Sequence, residues 1–276
     1  MRKIKEFALF FGFSIASLIV LFPVLYTCIA SFSSIRMAPQ QGTNIISVLF
    51  DMFAIDTPTI NQYYQLLIDQ FHFIRAFWNS LLYAFFVSFC NVLLSLLSGY
   101  VLAKVKFLGS NIITMIYIIA AVMPFQVSLL PMYIMSKSLG IYNTWSSIIF
   151  PGISAPIGVF LMRQFVMYVP DEMIESVRID TNSSCKMLAR IVAPTVRPGM
   201  VTLFTLMFSE NWNLVEQPMV LLRDPAKFPL SLLLNNTSVV GKESLYAAAV
   251  IYMMPVVILY LLLKNEIIDG LGGIKV

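Results

Sequence analysis

The feature that most constrains this chain is a set of long segments carrying no charged side chain. Residues 7–35, 76–103, 107–136, 138–162 and 244–263 contain no Asp, Glu, Lys or Arg. A helix rises 1.5 Å per residue, so each run is long enough to cross a hydrocarbon layer of about 30 Å. A further stretch, roughly 198–220, is apolar at first but carries Glu210 and Glu216. Backbone amides in lipid must be satisfied inside their own segment, which favours helices. The short alternating segments of a membrane β-barrel are not present. The chain therefore reads as an all-α, polytopic membrane protein. It is expected to be one transmembrane domain over residues 1–276, with six helices near 7–33, 77–103, 110–135, 140–165, 197–220 and 244–264.

Composition agrees. Hydrophobic residues make up 59% of the chain, charged residues 12%, and mean hydropathy is +0.83. A soluble domain carries about twice that charge and could not hide so much apolar surface. The net charge of +4 forms no basic stripe that would suit nucleic acid. Cys28, Cys90 and Cys185 form no CxxC pair, and His72 is the sole histidine, so neither a metal site nor a disulfide framework is indicated. Arg2, Lys3 and Lys5 precede the first run as they would in a signal peptide. That run is far longer than a signal core of about 7–15 residues, so a retained first span is expected.

Charge distribution gives an orientation. With six spans, one side collects Arg2, Lys3, Lys5, Lys104, Lys106, the five basic residues between 163 and 197, Lys264 and Lys275, a total of 12. The opposite side holds Arg36, Arg75, Lys137, Arg223, Lys227 and Lys242, a total of 6. The positive-inside rule places the first side, with both termini, in the cytoplasm.

The loop between the fourth and fifth spans, about 168–198, has its own local physics. Pro170, Asp171 and Glu172 form a helix-start signal, with acids at the positive end of the dipole. Asp180, Thr181, Asn182, Ser183 and Ser184 interrupt that helix and can cap a second one. Met187, Leu188 and Ile191 form the apolar side of the second helix, and Pro194 and Pro198 are expected to end it. Two short helices around a polar turn result.

This loop resembles the EAA motif of ABC-transporter permeases of the binding-protein-dependent import type. The family pattern is a Glu-Ala-Ala-x-x-Asp-Gly segment followed further on by Ile-x-Leu-Pro. Here Glu175, Ser176, Val177, Arg178, Ile179, Asp180 and Thr181 take the first part, and Ile191, Val192, Ala193 and Pro194 the second. Both alanines and the glycine are replaced; threonine is β-branched and does not readily take the positive φ a glycine would allow. Arg75, Ala76, Asn79, Ser80 and Leu81 resemble the entry to the family's second span. Pro124, Phe125, Gln126, Pro131 and Tyr133 resemble its Pro-Phe-Gln signature. Trp212, Asn213 and Pro218 match a pattern in its fifth span, and the Gly-rich tail at Gly270, Leu271, Gly273 and Lys275 resembles the maltose-type second sugar permease.

The resemblance implies a permease subunit that carries a mono- or oligosaccharide across a bacterial or archaeal cytoplasmic membrane. It implies four kinds of partner: a second homologous permease, two ATP-binding cassette ATPase subunits, an extracytoplasmic solute-binding protein, and membrane lipid. No GxxxxGK[ST] phosphate loop occurs in this chain, so ATP and Mg are expected on the partner ATPases, with no cofactor and no catalytic residue here. Glu175, Arg178 and Asp180 are the expected polar contacts to the ATPase, and Val177, Ile179, Met187 and Leu188 the apolar ones. The loops at 36–75 and 223–243 are expected to meet the solute-binding protein.

Intramembrane polar residues are the candidates for a solute path. Glu210 lies 12 residues beyond Pro198, about 18 Å along a helix. Ionisable groups at such depth face protein, water or substrate. Trp212, Asn213, Glu216 and Gln217 follow, and aromatic and amide groups together suit a sugar. Interhelical hydrogen bonding and an interface tryptophan are the alternative. Asn91 and Gln126 share that ambiguity, and Pro124 and Pro131 are expected to kink the third span. A permease for another polar solute such as a polyamine, or an ion-coupled secondary transporter, are the rival readings. The latter more often shows inverted repeats, and none is evident. An intramembrane protease is disfavoured by the single histidine outside the spans and the lack of an HExxH motif.

Overall fold

The computed structural model describes residues 2–33, 58–180, 184–235 and 244–271. Among them the chain is helical, without strands, apart from one antiparallel bridge between Ser33 and Pro58. Among the described residues, four helical segments are long and apolar enough to cross a membrane: Leu9–Ala30, Phe71–Lys104, Trp145–Met167 and Leu245–Gly270. The number rises to six if each of two bent helix pairs counts as one span. The chain divides into two compact units, Met1–Ile74 with Leu233–Met254, and Arg75–Leu232 with Pro255–Val276.

The smaller unit contains α1 (Arg2–Ala30) and α2 (Asn61–Tyr64), which continues through a widened turn at Gln65–Asp69. It also holds the first part of α13 (Leu245–Leu271). Large apolar residues of α1, among them Phe10, Phe13 and Val20, are exposed, a surface suited to lipid. The carbonyls left over at the end of α1 need donors. Gln62 supplies them: its Nε2 donates to the Ala30 and Ser33 carbonyls at 2.9 and 3.0 Å. The Ser31 and Tyr63 hydroxyls meet at 2.7 Å, and Tyr26 packs edge-on against Tyr246.

The larger unit is organised around α3 (Phe71–Lys104), which enters it at Arg75. Its 34 residues correspond to about 51 Å, longer than a hydrocarbon layer is thick. Gly109, at φ +93°, allows the turn into α4 (Ser110–Val122). A bend of 102° separates α4 from α5 (Phe125–Ser138). The expected continuous helix over 110–135 is thus two helices. The break falls at Met123 and Pro124, both extended, while Pro131 sits inside α5 without ending it.

The fourth expected span is also interrupted. α6 (Trp145–Ile153) and α7 (Pro156–Met167) meet at Ser154–Ala155, where Pro156 opens the new helix. α8 (Asp171–Asp180) and α9 (Ser184–Met187) follow; α9 runs on through a widened turn, Leu188–Val192, and Ala193–Thr195. Proline lacks an N–H and its ring crowds the carbonyl four residues back, and the widened turn ahead of Pro194 relieves that clash. Pro194 therefore does not end the helix. The break comes at Val196, with a 72° bend into α10 (Arg197–Trp212), and Pro198 lies in the first turn of α10. α10 stops at Trp212, so the expected 197–220 span divides again, and α11 (Glu216–Leu221) and α12 (Leu230–Asn235) are short.

Close helix contacts rest on small residues. A methyl group at Gly158 of α7 would collide with Asn91 Oδ1 and Ser95 Oγ of α3. The end of α13 is held to the start of α10 in the same manner at Gly270, and by an Arg197–Glu266 ion pair at 2.8 Å.

Candidate functional site

The loop between α7 and α10 is fixed by its apolar side. Ile174 of α8 and Met187 and Val192 of the following helix are buried in one cluster with Val92, Leu96 and Tyr100 of α3, Met162 and Val166 of α7, and Leu203 and Met207 of α10. The Tyr100 hydroxyl points at the Met187 sulfur, 3.8 Å away. Met187, expected as a contact to a partner, is instead seated in the chain's own core. Leu188 is half-buried against the same cluster.

Its polar side faces out. Glu172, Met173, Glu175 and Ser176 of α8 are exposed, as are Lys186, Arg190 and Pro194 further on. The Ser176 hydroxyl is spent on the Met173 carbonyl at 3.0 Å. The side chains of Val177, Arg178, Ile179 and Asp180, and the whole of Thr181, lie outside the described residues. At the loop's entrance Lys104 Nζ donates to the Val169 carbonyl at 2.6 Å and to Asp171 Oδ1 at 2.7 Å. That ammonium holds the Asp171 carboxyl below its ordinary range. Sequence reading placed Lys104 only as a topological charge, because partners 65 and 67 residues away leave no local signal.

The expected path residues separate into two groups. Asn91 is buried, and its Nδ2 donates to Ile153 at 2.9 Å and to Gly152 and Ala155 at 3.4 Å. These are carbonyls released where α6 breaks from α7. Gln217 Nε2 donates to the Ser147 and Ile148 carbonyls inside α6 at 3.3 Å. Trp212 is 1% exposed, stacked on Phe208 and edge-on to Phe77, so its ring faces are taken up within the chain. Glu210, Asn213, Glu216 and Gln126 are exposed. Asn213 Nδ2 bonds back to the Ser209 carbonyl at 2.8 Å. Gln126 Nε2 donates to both Glu216 oxygens, joining the start of α5 to the start of α11.

Sequence reading also missed the polar plate around Asn143. This residue has φ +58°, and its Oδ1 accepts from the Arg223 and Asp224 backbone amides at 2.9 and 3.0 Å. Asn79 Nδ2 donates to the Ala226 and Phe228 carbonyls, and Arg223 Nε to the Tyr142 hydroxyl. The Ala226 N–H and then Lys227 hold the Asp224 carboxyl low. Asn at a positive-φ turn is the one signal that could have been found beforehand.

Residues 91–267 match the family described as the binding-protein-dependent transport system inner membrane component. The chain is 29% identical over 277 residues to the arabinooligosaccharides transport system permease protein AraQ of Halalkalibacterium halodurans, covering 99% of this chain and 97% of that protein. It is 25% identical over 204 residues to the sn-glycerol-3-phosphate transport system permease protein UgpE of Shigella flexneri, covering 72% and 73%. In fold it is similar to a chain from a crystal structure of a bacterial ABC transporter involved in the import of the acidic polysaccharide alginate. The TM-score is 0.82 at 20% identity, covering 96% of this chain and 97% of that one. With the family model spanning both the α8–α9 loop and the broken helices, this multi-pass membrane protein belongs to the family of inner membrane components of binding-protein-dependent transport systems.

Proposed function

We propose that the chain is the non-catalytic permease subunit of an ATP-driven importer that moves a carbohydrate handed over by an extracytoplasmic binding protein. The observation that carries the substrate class is the end-to-end match to a permease named for arabinooligosaccharides. The chain crosses the bilayer six times, each bent pair counting as one span, with both termini in the cytoplasm. A second, homologous permease completes the path. Two ATPase subunits bind Mg and ATP and meet the loop at 168–198.

The loop's two-sided character supports this mechanism. Its apolar side is built into the core shared with α3, α7 and α10, while Glu172, Met173, Glu175 and Ser176 remain open to a partner. Movement of docked ATPase subunits then shifts helices as rigid bodies and alternates access to the path. Glu175, Arg178 and Asp180 serve as polar docking groups; Val177 and Ile179 serve as apolar ones, with Met187 anchoring the loop from inside. Glu210, Asn213, Glu216 and Gln126 line the polar route.

The test is uptake by proteoliposomes containing this chain and its partner subunits. Labelled arabinooligosaccharide should enter with ATP, stop with vanadate and persist with an uncoupler. Uptake that follows an ion gradient without ATP would overturn the importer reading. Preference for sn-glycerol-3-phosphate would overturn the carbohydrate substrate alone.

A further inference from the structure

Resting on the reading of residues 168–198 as the ATPase-facing loop, we infer that the C-terminal end of α3 is the strut that carries the loop's motion into the membrane. Lys104 is its positioning residue. A loop tied only through the chain could move α7 and α10 and leave α3 behind. The contacts forbid this. The last turn of α3 holds both halves of the loop at once, Lys104 through Val169 and Asp171 on the first half, Tyr100 through Met187 on the second. Tyr100 and Lys104 are four residues apart and so share one face of the helix.

Lys104 is the residue best placed to transmit displacement. Its side chain is 10% exposed although it is charged, and its ammonium bonds both the carbonyl ending the α7 connection and the first residue of α8. Charge-assisted bonds of this length are stiff and directional, and Pro170 between the two acceptors limits backbone play. At about 51 Å, α3 is longer than a hydrocarbon layer is thick, and its final turn reaches the loop.

In the assembled transporter in proteoliposomes, K104Q should lower the amount of solute imported per ATP hydrolysed by about fivefold. Subunit assembly and basal ATP hydrolysis should be retained, and K104R should restore most of the ratio. A purely structural Lys104 would lower assembly and uptake together and leave the ratio unchanged, which overturns the inference. If K104Q does not assemble, D171N takes its place, since it removes the ion pair and leaves the Val169 bond. An unchanged ratio in D171N then overturns the inference, and a lowered one supports it. E175R separates the two readings. If E175R uncouples and K104Q does not, only the strut fails; if E175R leaves coupling intact, the loop reading itself fails and the strut with it.

Discussion

Gln126 and Glu216 bridge two helix breaks: the amide nitrogen of one lies 3.2 and 3.1 Å from the two carboxylate oxygens of the other. Gln126 stands one residue into α5, beyond the 102° bend, and Glu216 is the first residue of α11. Both are exposed, so the pair adds little to stability. Q126A should therefore shift thermal unfolding in detergent by less than about 1 kcal/mol, yet lower solute uptake severalfold. Loss of stability in step with uptake would make the pair a structural tie and remove it from the solute route.

Asn91 makes the opposite case. It is buried and serves the carbonyls at the α6–α7 break, so removing its amide strands acceptors away from water. N91L, of similar size, should cost about 2 kcal/mol of stability in detergent unfolding. Restoration of uptake after low-temperature assembly would fit this purely structural role. Normal stability with altered solute preference would return Asn91 to the path.

Charge-free runs coincide with the long apolar helices because burial in lipid is a composition-level demand. They could not reveal the breaks, since a broken span and a straight one have the same hydropathy. Pro124 and Pro131 looked alike in sequence, but only the first coincides with a bend, because extended Met123 and Pro124 end α4 there. The start of α8 was legible from Pro170 and the acids after it. The inward side of the helices that follow was not. Met187 reads as one apolar residue of an amphipathic helix, and nothing local says whether a partner or Tyr100 covers it. Trp212 stayed open between solute path and packing for the same reason, and Phe77 and Phe208 cover its faces.

The charge asymmetry makes a topological prediction. Lys106 follows α3 and Lys137 lies near the end of α5, on opposite sides in the six-span reading. Single cysteines at these positions, in a background without Cys28, Cys90 and Cys185, should react with an impermeant maleimide from opposite faces of the membrane. Lys106→Cys should be labelled only in inverted vesicles and Lys137→Cys in intact cells. Labelling of both from one face would invalidate the six-span count.

The Lys104–Asp171 contact also fixes the sign of a pH effect. Asp171 sits outside the membrane segments, and its carboxyl is held below its ordinary value of 3.8 by the Lys104 hydrogen bond and charge. A carboxyl with a depressed folded-state pKa binds fewer protons folded than unfolded, so its contribution is present above the unfolded value and fades as pH falls through the folded one. D171N should therefore melt at a lower temperature than the unsubstituted protein at pH 7. The gap should hold down to about pH 5 and close below the ordinary carboxylate range. Asp171 is largely exposed, so the gap should be small and should narrow in high salt. K104Q should remove most of the pH dependence of the gap, because only the weaker pull of the Lys106 charge then lowers the Asp171 carboxyl. A gap between D171N and the unsubstituted protein that widened on acidification would mean that the fold favours the protonated Asp171 carboxyl, and would overturn the Lys104 contact.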